Sequence, residues 1–200
     1  PDKEIYPYEK TVVGLRYAPF FFTRGCPYLC TYCSNHALAK LYGRNRNYPR
    51  FRSPESCIQE IENVVKKYGE HIDFIDIGDD IFGPNNKWRQ EFCEKYRKRI
   101  KKKFMILLRV ENVTDDMLIM LKDAGCFRIY IGVESGNESL RKEVMKRTMS
   151  NEKIIYAYDL CHKHGLETLA ISIIGMPGES EEMIWDTVKL NRRLRPTSSG

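Results

Sequence analysis

"FMILLRVENVTDDMLIMLKDAGCFRIYIGVE", residues 104–134, holds a strand, a helix and a second strand in one stretch. Phe104 to Leu108 is apolar without alternation, as a strand covered on both faces is. Thr114 offers an N-cap oxygen to a helix that Gly125 stops, and Arg128 to Val133 is the next apolar run. Two strands joined through a helix run parallel, and the same alternation continues outward in both directions. Further strands fall at Tyr17 to Phe22, Ile72 to Ile77 and Thr168 to Ile174. Ser53-Pro54-Glu55 opens a helix with Ile58, Ile61, Val65 and Tyr68 on one face, and Trp88, Phe92, Tyr96 and Ile100 recur along the next. Asn151 opens a helix that ends at Gly165, and Ser180 opens the last. Right-handed crossovers wind such units into an open α/β sheet or part of a barrel, with function collected at the carboxyl ends of the strands.

The 200 residues, 42% hydrophobic and 12% aromatic, suffice for one sizeable core and do not require two. The chain starts at Pro1 and stops at Gly200 just after a helical pattern, so residues 1–200 read as one domain of a longer protein whose flanking parts are absent. No apolar run long enough to span a membrane and no secretory leader is visible. Seven cysteines, three of them adjacent and the rest scattered through apolar patterns, fit reduced thiols and a cytoplasmic setting better than a disulfide framework. The net charge of +6 is concentrated in Arg97-Lys98-Arg99 and Lys101-Lys102-Lys103, where a helix terminus accommodates cations, so it does not demand nucleic acid.

The strand-end segments are Thr23 to Cys33, Gly78-Asp79-Asp80, Arg109 to Asn112, Glu134-Ser135-Gly136 and Gly175 to Glu179. The first contains Cys26, Cys30 and Cys33. Spacing of i, i+4, i+7 would line one face of a helix with small core residues, although Gly25 and Pro27 favour a loop. A structural zinc site could recruit His36 but lacks the second cysteine pair usual in closed sites. An iron–sulfur cube uses three thiolates and leaves one iron open. His36, His71, His162 and His164 form no nucleophile–base pattern, and no phosphate loop is present.

The run Arg24-Gly25-Cys26-Pro27-Tyr28-Leu29-Cys30-Thr31-Tyr32-Cys33 resembles the signature of the radical S-adenosylmethionine (SAM) superfamily. The resemblance continues through "RSPESCIQEIE" (52–62), "GDDIF" (78–82), "IGVESGNESLRKEVMKR" (131–147) and "IIGMPGES" (173–180). It implies a partial (β/α) TIM-like barrel of parallel strands alternating with helices, with about five of the usual six units before Pro196. It further implies a 4Fe-4S cluster on Cys26, Cys30 and Cys33, with SAM chelating the open iron and being cleaved reductively to a deoxyadenosyl radical. An electron donor such as flavodoxin or ferredoxin is implied as partner. By the same resemblance Tyr32 lies near the adenine, and Gly78, Asp79 and Asp80 receive the SAM ammonium, Asp79 through either its carbonyl or its carboxylate. Glu134 and Ser135 meet its ribose or methionyl part, Arg109 and Arg147 are candidates for its carboxylate, and Ile173 and Gly175 pack on adenine. Glu179 reads as a helix-start acid. No catalytic residue is assigned.

"RSPE" and "GDDIF" look most like members that carry a cobalamin-binding domain, which implies methyl transfer or C–C or C–S bond chemistry on an unknown substrate. Two alternatives stand beside this: a tRNA or protein methylthiotransferase, and a non-catalytic zinc or iron–sulfur module. The loop Gly43 to Arg52 interleaves Arg44, Arg46, Arg50 and Arg52 with Tyr48 and Phe51, the one basic-aromatic stretch suited to nucleic acid; loop packing explains it as well.

Overall fold

The computed structural model describes residues 8–42 and 48–200. In chain order the elements are α1 (Tyr8–Leu15), β1 (Tyr17–Phe20), β2 (Thr23–Arg24), α2 (Ser34–Tyr42), β3 (Arg50–Phe51), α3 (Pro54–Tyr68), β4 (Phe74–Ile77), α4 (Asn86–Arg99), β5 (Lys103–Leu108) and α5 (Asp115–Asp123). There follow β6 (Cys126–Glu134), α6 (Glu138–Glu143), α7 (Asn151–Lys163), β7 (Glu167–Ser172), α8 (Glu181–Leu194) and β8 (Ser198–Ser199). Six strands form one parallel sheet in the order β1-β4-β5-β6-β7-β8, open at both edges, while β2 and β3 form a separate antiparallel pair. This is the partial barrel of parallel strands and helices that the sequence suggests.

Two features go beyond the sequence reading. The strand expected over 17–22 stops at Phe20, because the amides of Phe22 and Thr23 turn away from the ladder and donate to Asp79 Oδ1 at 2.6 and 2.9 Å. A sixth strand exists as the two residues of β8, paired to Leu169 and Ala170, so the outer edge of β7 is partly covered.

Helix starts follow from caps. Side-chain oxygens of Ser53, Asn85, Thr114, Asn137 and Ser180 each accept the backbone N–H three residues on. Ser150, not Asn151, caps α7.

The sheet separates two environments because strand side chains alternate. Ile75, Ile77, Phe104, Ile106, Leu108, Ile129, Ile131 and Val133 are buried in the core with the helices, which contribute Ile58, Ile61, Phe92, Tyr96, Leu118 and Tyr158. The opposite set, Tyr17, Pro19, Phe74, Asp76, Leu107, Tyr130, Leu169 and Ile171, is only partly covered. At its amino-terminal end Tyr17 stacks on Phe74 with ring centroids 5.2 Å apart, and Phe127 meets Phe74 edge-on at 5.4 Å. The carboxyl end carries the strand-end segments.

Candidate functional site

The cysteine segment is a loop between β2 and α2. Gly25 takes φ +93°, and a Cβ there would come within 2.4 Å of the Tyr48 ring, so both conformation and space require glycine. Tyr48 holds the loop from below: its hydroxyl accepts from the Cys26 amide at 3.4 Å and donates to the Asn35 carbonyl at 3.3 Å. The Cys33 amide donates to the Cys30 carbonyl at 3.2 Å, and α2 begins only at Ser34, which removes the reading of the cysteines as one helical face.

All three cysteines are free thiols, Cys30 buried and Cys26 and Cys33 half-buried. Burial pushes the Cys26 thiol up. Asn35 Nδ2 lies 3.7 Å from Cys33 Sγ, and Arg109 Nη1 lies 3.5 Å from Cys30 Sγ. Among the described residues no three His, Cys, Asp or Glu side chains stand close enough together to hold a metal. The three thiols nevertheless fit an iron–sulfur group in type, number and position at the strand ends, and the group itself would have to draw the sulfurs together.

A charged network adjoins the loop. Arg109, just beyond β5, lies with its guanidinium 3.7 Å over the Tyr28 ring and donates to Glu111 Oε1 at 2.9 Å. Arg147 is nearly fully buried; Nη1 donates to Glu134 Oε1 at 2.5 Å and approaches the Tyr32 hydroxyl at 3.4 Å, while Nη2 is 4.0 Å from Glu111 Oε2. Glu134 closes β6 at φ +67°, a left-handed conformation that turns its carboxylate back over Gly132. A Cβ on Gly132 would lie 2.3 Å from Glu134 Oε1. Burial pushes the Tyr32 hydroxyl well up, and the Glu134 carboxylate adds to this. Burial also acts to raise Glu111, but its own backbone N–H and the Arg109 guanidinium outweigh that and hold it below the usual carboxylate range.

Other candidates divide. Gly78 is exposed at the rim under the Phe21 ring, and Asp80 is exposed. Asp79 points inward: 1% exposed, it accepts from the Phe22 and Thr23 amides, so its carboxylate is spent on the approach to the cysteine loop and is not presented to a ligand. Ser135 is also misplaced by the sequence reading. It is fully buried under α8, where its hydroxyl meets Thr187 Oγ1 at 3.3 Å and accepts from the Asn137 amide at 3.1 Å, so it cannot offer that group to a ligand at the rim. Ile173 and Gly175 lie partly open at the end of β7, and Glu179 closes their turn by accepting from the Gly175 and Met176 amides at 2.6 and 3.2 Å.

In the basic loop, Arg44 and Arg46 lie outside the described residues. Arg52 is an internal tie, ion-paired with Glu60 and donating to Ser56, and Phe51 pairs with Thr23. Tyr28, Tyr48 and Glu111 are site residues that the sequence reading missed. Tyr28 and Glu111 sat inside strand-end segments; Tyr48 stood in the basic-aromatic loop, with nothing local to tie it to the cysteines, because only tertiary packing brings it beneath Gly25.

A family profile described as "Radical SAM superfamily" matches residues 20–190. An anaerobic magnesium-protoporphyrin IX monomethyl ester cyclase of Rubrivivax gelatinosus is 28% identical over 98% of this chain and 35% of its own length. A tRNA-2-methylthio-N(6)-dimethylallyladenosine synthase of Clostridium perfringens is 29% identical over 83% of this chain and 37% of its own length. The chain thus spans little more than a third of these relatives. Among solved structures, the radical SAM methyltransferase TsrM of Kitasatospora setae superposes with a TM-score of 0.80 over 96% of this chain and 36% of that one, at 17% identity. TsrM has also been solved with cobalamin and a [4Fe-4S] cluster bound. At that identity the likeness speaks for the fold.

Proposed function

The chain belongs to the radical SAM superfamily, and from that premise we propose that residues 1–200 are the radical core of a longer enzyme, with Cys26, Cys30 and Cys33 as cluster ligands and SAM bound beside them. One arrangement carries this reading: the three free thiols and the Glu134–Arg147–Tyr32 set meet on one rim, joined by the Arg109–Cys30 and Arg147–Tyr32 contacts. Cys26, Cys30 and Cys33 would hold the cluster, which would supply one-electron reductive cleavage of SAM bound beside it.

The chain's own residues bind and orient. Arg147 takes one oxygen of Glu134 and fixes the carboxylate, leaving Oε2 to accept from a ribose diol. The backbone of Gly78 to Asp80, rather than the Asp79 side chain, faces the SAM ammonium. Tyr32, Ile173 and Gly175 flank the adenine. Anaerobic reconstitution followed by dithionite and SAM tests this: deoxyadenosine and methionine are expected, and a well-formed cluster that yields neither rejects it.

Within the family, cobalamin-linked methyl transfer is the favoured chemistry, supported by the "RSPE" and "GDDIF" resemblance. Methylthio transfer is the second reading, supported by the match to the tRNA-modifying synthase. Cobalamin retained by the whole protein favours the first. The family's need for one-electron reduction points to a flavodoxin or ferredoxin as partner. Four core thiols, Cys57, Cys93, Cys126 and Cys161, are buried and unpaired, which supports a reducing, cytoplasmic setting. No described helix is long and apolar enough to cross a membrane.

A further inference from the structure

Arg109 is fixed from three sides. Its guanidinium lies 3.7 Å over the Tyr28 ring, Nη2 donates to Glu111 Oε1 at 2.9 Å, and Nη1 approaches Cys30 Sγ at 3.5 Å. Its side chain is 11% exposed, so it cannot swing into solvent. Nη1 and Nη2 each commit one N–H to the protein, so a SAM carboxylate would have to share this guanidinium with Cys30 and Glu111.

What this guanidinium meets is the sulfur of a cysteine. Once Cys30 is a thiolate the contact becomes a charge-assisted hydrogen bond. Hydrogen bonds to cluster sulfurs and nearby charge are what a protein uses to set an iron–sulfur potential. Reduction adds an electron, so a cation held against a ligand sulfur stabilises the reduced form more than the oxidised one. Glu111, paired to the same guanidinium, partly offsets that charge.

We propose that Arg109 is a cluster-tuning residue that raises the reduction potential through its contact with Cys30, with Glu111 as the counter-ion that limits the rise. This rests on Cys30 being a cluster ligand. The test is an electron paramagnetic resonance redox titration of the anaerobically reconstituted protein, alongside Arg109→Gln, Arg109→Lys and Glu111→Gln, with SAM affinity measured in parallel.

Arg109→Gln should move the midpoint to more negative potential, Arg109→Lys should stay nearer the starting protein, and Glu111→Gln should move it to more positive potential. A full cluster in Arg109→Gln with an unmoved midpoint overturns the proposal. So does an unmoved midpoint with weakened SAM binding, which would make Arg109 a SAM ligand. If Arg109→Gln does not hold iron, Glu111→Gln decides, because a midpoint that stays or falls there is incompatible with the proposed charge balance. A starting protein that takes up no cluster removes the reading of Cys30 as a ligand, a failure visible before any variant is compared.

Discussion

At the scale of the residue, Asp79 shows how one side chain can serve a site it does not face. Its Oδ1 accepts the two amides that lead from β1 into the cysteine loop, while Oδ2 is buried without a hydrogen-bond partner. Burial pushes its carboxyl up to about 6, against the hydrogen bonds from Thr23 and Phe22 that favour the anion. The native state therefore holds this proton more tightly than the unfolded chain, whose aspartates titrate near about 3.9. Stability from this group is full below about 4 and falls as pH rises through about 6. Asp79→Asn keeps an acceptor oxygen and removes the titration, so urea melts of it and the parent should diverge progressively between pH 4 and 6.5; parallel curves would refute the shift. Asp79→Ala strands two buried amides and should cost about 2–4 kcal/mol, with loss of iron retention. The motif position of Asp79 was legible in the sequence, but the direction of its side chain was not, because Phe22 and Thr23 lie far from it along the chain and only folding brings them together.

At the scale of elements, two sets of arginine contacts invite the same description and should behave differently. Between α3 and α4, Arg99 meets Glu55 at 2.7 Å and is also paired with Glu62, while Lys95 meets Glu55 at 2.7 Å. The Lys95 and Arg99 hydrogen bonds hold Glu55 down to about 2. A carboxyl lowered in the folded state stabilises above its unfolded range and loses that contribution as pH falls toward about 2. Arg99→Met should therefore differ slightly from the parent at neutral pH, and the difference should fade both in strong salt and near pH 2, measured by urea unfolding. Arg141 of α6 is fully buried and donates to the Ser135 and Met149 carbonyls and to Asn151 Oδ1. Arg141→Met leaves those acceptors unpaired in the interior and should cost about 3 kcal/mol or more at any salt concentration. The long helices were legible because caps and apolar stripes are local signals: Ser53, Thr114 and Ser180 cap where the sequence says they should. The elements missed were α1, α2, α6 and the two-residue strands β2, β3 and β8. Each owes its existence to a neighbour, as β2 does to the Asp79 clamp and to Phe51, and carries too little periodicity to announce itself.

At the scale of the whole molecule, the parallel sheet separates what holds the chain together from what the chain does. The packed core lies between the sheet and its helices, whereas the cysteines, Arg109, Glu134 and Arg147 sit on loops and strand ends at one rim. That division was readable from the alternation of strands and helices alone, since right-handed crossovers and function at the carboxyl ends of the strands hold for an open parallel sheet and a partial barrel alike. Which rim residues converge depended on buried contacts such as Arg147 with Tyr32, 115 positions apart in the chain, and these leave no local trace. The separation predicts two opposite phenotypes. Cys30→Ala removes one thiol at the rim, 8% exposed and outside the packed core cluster, and should abolish iron uptake while shifting the unfolding free energy by about 1 kcal/mol or less. Ile106→Ala opens a cavity at the centre of β5, where the side chain is fully buried, and should cost about 2–5 kcal/mol while the folded fraction still takes up iron. Urea unfolding of the metal-free proteins and the iron-to-protein ratio after reconstitution measure the two effects independently. If Cys30→Ala destabilised the chain as much as Ile106→Ala, the cysteine loop would be part of the folding core, and the rim would not be free to gather its sulfurs around a cluster without disturbing the rest of the fold.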